Sequence, residues 1–132
     1  FTPHPGEMSR LTGVQTNLIQ ADRVSYAGQF SKEHGVYVVL KGSNTVVASP
    51  DSDRVYINAS GNNGLSKGGS GDVLAGILSA FCARGLRPLD AADAAVYIHG
   101  FCADVLADRY SKTGMLPSDV IDELREVFAD FE

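Results

Sequence analysis

The amino-acid sequence predicts an α/β fold. An amphipathic segment that ends at Gly35 leads directly into a short apolar run at 36–40, and this order is half of a βαβ unit. A second apolar segment, at 73–81, follows a glycine-rich stretch and has helical length. Helix, buried strand and helix in alternation along one chain are typical of α/β architecture.

The composition is that of one soluble globular domain. The chain has 132 residues, of which 44% are hydrophobic and 20% are charged, and a chain of this size can bury a core. Its net charge of −5 argues against a nucleic-acid or anionic-membrane partner, since those surfaces need clustered Lys and Arg. No apolar run approaches the roughly 20 residues of a membrane span, and no signal-peptide pattern opens the chain. We therefore expect a cytoplasmic protein.

The first residues predict the end of a strand followed by a short helix. Pro5 can occupy the first helical turn and Gly13 can close the helix. No initiating Met and no earlier element precede Phe1. We therefore expect residues 1–132 to be a piece of a longer protein.

A second helix is predicted from Asn17 to Gly35. Asn17 and Gln20 can form an N-terminal cap pair, and apolar residues recur behind them at helical spacing. The run at 36–40 is rich in β-branched residues and does not alternate with polar ones. It therefore predicts a strand covered on both faces in a mostly parallel sheet.

The next segments predict a hairpin and then three helices. Strands at 45–49 and 54–57 are separated by turn-forming residues. The helix at 73–81 is apolar nearly all round, which places it in the interior, and Gly85 should end it. Pro88 opens an Ala-rich helix that runs to about Tyr110.

Ser118 can cap a last amphipathic helix. Cys82 and Cys102 fall in different helices without the spacing of a zinc site, so we interpret both as reduced core thiols. His99 is predicted to be a core histidine between helices rather than a ligand.

The residues that can carry chemistry lie at 61–72. Glycines allow several backbone N–H groups to point to one side, and the following helix adds its unpaired N-terminal donors and its dipole. This arrangement suits a phosphate. Asp72 would repel a phosphate, but it could instead take the proton of an acceptor hydroxyl while the amides of 68–71 stabilise the transferring group. The alternative is that Asp72 is only a helix cap or a first-turn carboxylate that is favourable to the helix dipole.

Several segments carry a family resemblance. Gly69-Ser70-Gly71-Asp72 resembles the Gly-Ala-Gly-Asp signature of the ribokinase-like superfamily. The longer string at 68–77 is similar to the ADP- or ATP-dependent NAD(P)H-hydrate dehydratases. Segments 2–8, 39–45 and 97–100 match the same family in the same order.

The resemblance implies a ribokinase-like three-layer α/β/α fold, of which this chain would be the C-terminal half. Residues 1–132 would then be the C-terminal part of one catalytic domain, which needs its own N-terminal part. It implies dehydration of hydrated NADH or NADPH, with ADP or ATP as phosphoryl donor, Mg²⁺ on the nucleotide phosphates, and no metal site formed by protein side chains. Asp72 would be the catalytic base and would contact the hydrate together with His4. The nucleotide-binding residues would be Lys41, Gly42, Ser43, Asn44, Thr45, Gly68, Gly69, Ser70 and Gly71. A homo-oligomer is also expected.

Alternatives remain at this point. A small-molecule kinase of the same superfamily, acting on a sugar or a vitamin precursor, would share the Gly-Asp pair, and so would a non-catalytic nucleotide-binding module. His4 could be a solvated loop residue and Lys41 a surface lysine that keeps its ammonium in water. The sequence departs from the family at Asn63 and at 66–67, where Lys67 could contact phosphate or point to solvent.

Overall fold

The structure is a computed structural model, and residues 1–130 are described. The chain divides into two units, the first covering Phe1–Asn58 and the second beginning at Ala59. The first unit combines helices with a sheet, and the second is helical. In the described residues, no helix is both long enough and apolar enough to cross a membrane.

Three helices open the first unit: α1 (Pro5–Thr12), α2 (Thr16–Ala21) and α3 (Arg23–His34). Pro5 begins α1 and Gly13 ends it with a left-handed φ of 74°, as the sequence predicts. Gly35 ends α3 in the same conformation, with φ of 65°.

The single helix predicted from Asn17 to Gly35 is wrong, because the chain breaks at Asp22. Asp22 has φ of −147° and ψ of 66°, and its side chain accepts a hydrogen bond from the Ser25 N–H at 3.1 Å. An aspartate that bonds the backbone in this way caps a new helix instead of continuing the old one. Asn17 lies inside α2, whose N-cap is Gln15, so the predicted cap pair is also wrong.

The strands β1 (Val38–Leu40), β2 (Val46–Ala48) and β3 (Val55–Ile57) form a sheet in the order β1-β2-β3. Both pairings are antiparallel, with Val47 opposite Val39 and Tyr56. The predicted hairpin is therefore confirmed. β1 was predicted in a mostly parallel sheet, and that prediction is wrong for its pairing with β2, because a short connection can join only antiparallel neighbours.

Residues 1–3 lie parallel to β1 on its other edge. The Val39 N–H donates to the Phe1 carbonyl at 2.8 Å, and the Lys41 N–H donates to the Pro3 carbonyl at 2.8 Å. All three residues of β1 are buried, as expected for a strand covered on both faces. The core of this unit is formed by Met8, Ile19, Ala27, Phe30, Val38, Leu40, Val46 and Ala48.

The second unit contains a 3₁₀ turn (Asn63–Leu65), α4 (Ser70–Ala83), α5 (Pro88–Arg109) and α6 (Pro117–Asp130). Gly85 has φ of 92° just after α4, and Pro88 begins α5, both as predicted. One cluster of its core comprises Cys102, Ala103, Leu106, Met115, Val120 and Val127.

Three predictions for this unit need correction. Only Ser70, Leu74 and Ile77 of α4 are buried, so the helix is not wholly interior; its exposed positions are mostly small residues, which present little apolar surface. Helix α6 begins one residue before Ser118, and the Asp119 side chain accepts from the Leu116 N–H at 2.7 Å in place of the predicted cap. Both cysteines are free, but Cys82 is exposed and only Cys102 is in the core.

Candidate functional site

The glycine segment forms an open helix N-terminus. Gly69 is the N-cap of α4 with φ of 95°, and no side chain caps the helix there. Within residues 1–130 the N–H groups of Gly68, Gly69 and Gly71 donate to no protein acceptor. Free amides and a helix dipole at one point are the elements of a phosphate site. The Ser70 amide differs from the prediction, since it donates to the Lys67 carbonyl at 3.2 Å.

Asp72 lies in the first turn of α4 and is exposed. Its N–H donates to the Gly69 carbonyl at 3.0 Å, but its carboxylate forms no hydrogen bond or ion pair in the described part of the chain. A capping role would require the carboxylate to accept a backbone N–H. The structure therefore leaves this carboxylate accessible beside the glycine amides.

Asp104 on α5 holds the beginning of the glycine segment. Its carboxylate accepts from the Gly61 N–H at 2.7 Å and from the Asn62 side-chain amide at 2.9 Å. Asn62 in turn accepts from the Gly64 N–H at 2.9 Å. Asp104 was not predicted from the sequence. A carboxylate in an Ala-rich helix is a weak signal that the residue holds a loop.

The segment 97–100 of α5 also supports the loop. The Ser60 hydroxyl donates to the Tyr97 carbonyl at 2.9 Å. A Cβ on Gly100 would lie 2.7 Å from the Ser60 backbone carbonyl carbon, a distance that real side chains do not adopt. Gly100 therefore allows the backbone of α5 to approach the loop.

His99 is a buried histidine, 7% exposed, as predicted. Burial lowers its pKa to about 4, although a hydrogen bond with the Ser70 backbone acts in the opposite direction. Its Nε2 has no partner within the described residues. His99 is therefore neutral at physiological pH and links α5 to the first residue of α4.

The free energy of unfolding is expected to fall as the pH decreases from about 6.5 to about 4 because of His99. A histidine whose pKa is lower in the folded state takes up a proton on unfolding. Its contribution to the free energy of unfolding is therefore complete above pH 6.5 and lost near pH 4. The difference between the unfolded and folded pKa values of His99 corresponds to about 3 kcal/mol of unfolding free energy. Denaturant unfolding of the intact protein at several pH values measures it.

Other groups also titrate in this window, so the comparison is with His99→Asn, which should show a shallower pH dependence. His34→Asn removes an exposed histidine and is the control for the loss of an imidazole elsewhere in the chain. Identical slopes for the wild type and His99→Asn would contradict the assignment.

In the first unit, His4 is the N-cap of α1. Its Nδ1 accepts from the Glu7 N–H at 3.1 Å, and the His4 N–H donates to Glu7 Oε2 at 2.7 Å. A Cβ on Gly6 would lie 3.1 Å from the His4 ring, so Gly6 leaves room for the ring to fold over the helix start. The side chain is 51% exposed. His4 is therefore a fixed capping residue with one accessible side, not a loose loop residue.

Lys41 follows β1, and its side chain is only 24% exposed. Its ammonium lies 3.7 Å from Glu7 Oε2. The His4 N–H bond and the nearby Lys41 ammonium hold the pKa of Glu7 below its usual range. Glu7 thus connects His4 with Lys41.

The loop from Lys41 to Thr45 packs against Arg23 at the start of α3. The Arg23 guanidinium donates to the Ser43 carbonyl. A Cβ on Gly42 would lie 3.0 Å from Cζ of the same guanidinium. Asn44 has a left-handed φ of 56°, and the Thr45 hydroxyl donates to the Gly42 carbonyl at 3.2 Å. Burial lowers the pKa of Arg23. The sequence analysis did not identify Arg23.

The predicted site residues thus form two groups. His4 and Lys41 to Thr45 lie in the first unit, and Gly68 to Asp72 lie in the second. A family model described as NAD(P)H-hydrate dehydratase matches residues 1–126.

The chain belongs to the NAD(P)H-hydrate dehydratase family. Over its full length it is 42% identical to the bifunctional NAD(P)H-hydrate repair enzyme of Moorella thermoacetica, of which it spans 25%. It is 40% identical to the ADP-dependent (S)-NAD(P)H-hydrate dehydratase of Bacillus subtilis, of which it spans 48%. The chain therefore covers a quarter to a half of these relatives.

Solved structures of the family and of its superfamily have the same fold as this chain. The crystal structure of the ADP/ATP-dependent NAD(P)H-hydrate dehydratase from Bacillus subtilis, co-crystallised with ATP/Mg²⁺, matches with a TM-score of 0.95 over 99% of this chain and 47% of that one. A ribokinase-like superfamily protein from Enterococcus faecalis matches with a TM-score of 0.81 at 30% identity, over 99% of this chain and 44% of that one. The predicted ribokinase-like α/β fold is confirmed.

Proposed function

We propose that the protein containing this chain is a hydro-lyase that dehydrates (6S)-hydrated NADH or NADPH with ADP or ATP as phosphoryl donor. The observation that carries the proposal is the uncapped N-terminus of α4, where three glycine amides are free and Asp72 is accessible one turn into the helix. The names of the relatives from Bacillus and Moorella support the same reaction.

The reaction has two stages. Asp72 takes the proton of the 6-hydroxyl as the hydroxyl oxygen attacks the terminal phosphorus of the nucleotide, and the bond from that phosphorus to the bridging oxygen breaks to release AMP from ADP or ADP from ATP. The glycine amides at 68–71 stabilise the charge on the transferring phosphoryl group. The lone pair of the ring nitrogen then expels phosphate by breaking the C6–O bond. Loss of a ring proton completes the dihydronicotinamide.

The remaining predicted residues would bind the two substrates. His4 would contact the hydrate, supported by its fixed position at the start of α1. Lys41, Gly42, Ser43, Asn44 and Thr45 would bind the adenine nucleotide, supported by the rigid loop that Arg23 holds. Gly68, Gly69, Ser70 and Gly71 would surround its phosphates.

Magnesium would enter with the nucleotide. The described residues contain no group of three or more His, Cys, Asp or Glu that could hold a metal ion. Mg²⁺ commonly binds phosphate oxygens and water together with one or two carboxylates. An ion that enters with the nucleotide would therefore take most of its ligands from phosphate oxygens and water. The Bacillus relative was co-crystallised with ATP/Mg²⁺. When bound, the ion neutralises charge on the phosphates.

The test is to add hydrated NADH and ADP or ATP to the intact protein and to record the absorbance of the reduced nicotinamide. The proposal predicts recovery that depends on the nucleotide. A stable phosphorylated product without recovery would identify a small-molecule kinase. Nucleotide binding without any turnover would identify a non-catalytic module.

Three further expectations stay predictions. They are the cytoplasmic location, the homo-oligomeric state, and the status of residues 1–132 as the C-terminal part of one catalytic domain.

A further inference from the structure

Lys67 lies within the glycine segment, residues 61–72, two residues before the N-cap of α4. Its ammonium donates to the Thr113 carbonyl at 2.6 Å and to the Met115 carbonyl. Neither role considered from the sequence, a phosphate contact or a solvated side chain, describes this arrangement. Lys67 instead bonds the connection between α5 and α6, residues 110–116, which we call the α5–α6 loop.

The α5–α6 loop and the residue after it pack against the glycine segment at two more points. A Cβ on Gly64 would lie 2.9 Å from the Lys112 carbonyl oxygen and would also overlap the buried Met115 side chain. A Cβ on Gly69 would lie 3.5 Å from the Pro117 ring. The two segments are therefore in contact on both sides of Lys67.

The backbone of Lys67 transmits this anchoring to the start of α4. Its N–H donates to the Leu65 carbonyl at 2.8 Å, and its carbonyl accepts from the Ser70 N–H at 3.2 Å. Ser70 is the first residue of α4. A displacement of Lys67 would therefore move the free amides that lie between it and Asp72.

We propose that Lys67 is a positioning residue: by tying the glycine segment to the α5–α6 loop, it holds the amides of Gly68, Gly69 and Gly71 in the orientation that binds the nucleotide phosphates. Its own ammonium is engaged by two carbonyls and does not contact phosphate. Hydrogen bonds from a charged donor are stronger than neutral ones, and backbone groups held before the ligand arrives lose less entropy on binding. The kinetic part of this proposal rests on the proposed function.

The test compares Lys67→Met, Lys67→Gln and Lys67→Arg in the intact protein. The control is Lys112→Met, which changes an exposed lysine of the same loop. Amide exchange followed by NMR reports the loop directly, because the N–H groups of Ser70, Asp72 and Val73 are bonded to carbonyls of the segment. We expect these amides to exchange about tenfold faster in Lys67→Met. Lys67→Gln should show a smaller increase, and Lys67→Arg and Lys112→Met little change.

The kinetic measurement compares the KM for the nucleotide with the KM for hydrated NADH. Lys67→Met should raise the KM for ADP or ATP about tenfold, which corresponds to a loss of about 1.4 kcal/mol of binding free energy, and change the KM for hydrated NADH by less than about twofold. A higher nucleotide KM with unchanged amide exchange would overturn the proposal in favour of a direct phosphate contact. Unchanged exchange and unchanged KM would also overturn it. If the wild type does not turn over, the proposed function fails, whereas the exchange measurement still decides the role of Lys67.

Discussion

Replacement of Asp72 by asparagine in the intact protein is expected to reduce turnover by a factor of about 10²–10⁴, the usual contribution of a positioned general base. The substitution keeps the size of the side chain and removes its ability to take a proton. Because the Asp72 carboxylate forms no hydrogen bond or ion pair within residues 1–130, the fold should not change. Nucleotide binding should persist, and a calorimetric titration beside a turnover assay measures both quantities.

The matched control is Asp90→Asn. Asp90 also lies in the first turn of a helix, α5, where it pairs with Arg87 at 2.7 Å. An exposed pair of this kind contributes little to stability, so turnover should be unaffected. If Asp72→Asn retained more than about a tenth of wild-type turnover, Asp72 would not be the base, since even a weak base contributes more.

Substitution of Gly71 by valine is expected to abolish nucleotide-dependent activity. The structure places the left-handed turn at Gly69 and puts Gly71 inside α4. Valine has a higher helix propensity than glycine, so the variant should fold. The branched side chain would instead stand beside the free amides and keep phosphate from the backbone. Calorimetric titration with ADP or ATP should therefore show no binding.

Gly76→Val provides the comparison within the same helix. A Cβ on Gly76 would meet nothing within 4 Å, so this variant should bind the nucleotide normally, and it changes helix propensity in the same way as Gly71→Val. Unchanged nucleotide affinity in Gly71→Val would show that the glycine segment has only a structural role.

Local signals in the sequence were sufficient for most helix ends. Pro5, Gly13, Gly35 and Pro88 mark ends that the structure confirms, because proline and left-handed glycine act on their own backbone. The break at Asp22 was missed because apolar spacing continues across it and only the bond to Ser25 reveals it. The antiparallel pairing of β1 with β2 was missed because a continuous apolar run does not distinguish parallel from antiparallel neighbours.

The site was predictable where residues adjacent in sequence form it. The glycine amides and Asp72 lie on one turn of the chain and were identified together. Arg23 was missed because its acceptor lies 20 residues away, and Asp104 because its partner lies 43 residues away. The cap formed by His4 and Glu7 escaped because histidine is not among the usual N-cap residues. Contacts between distant segments depend on the finished fold, which local patterns do not encode.

In the proposed reaction, the hydroxyl oxygen of the hydrate leaves as one oxygen atom of inorganic phosphate. The most direct measurement uses hydrated NADH labelled with oxygen-18 in the 6-hydroxyl, the intact protein, and ADP or ATP with Mg²⁺. Phosphoryl transfer to that hydroxyl followed by cleavage of the C6–O bond places the label in inorganic phosphate, in a one-to-one ratio with the NADH formed. Mass spectrometry of the phosphate should therefore find the label there. Labelled water with unlabelled phosphate would show that the hydrate loses its hydroxyl without being phosphorylated, and would contradict the account.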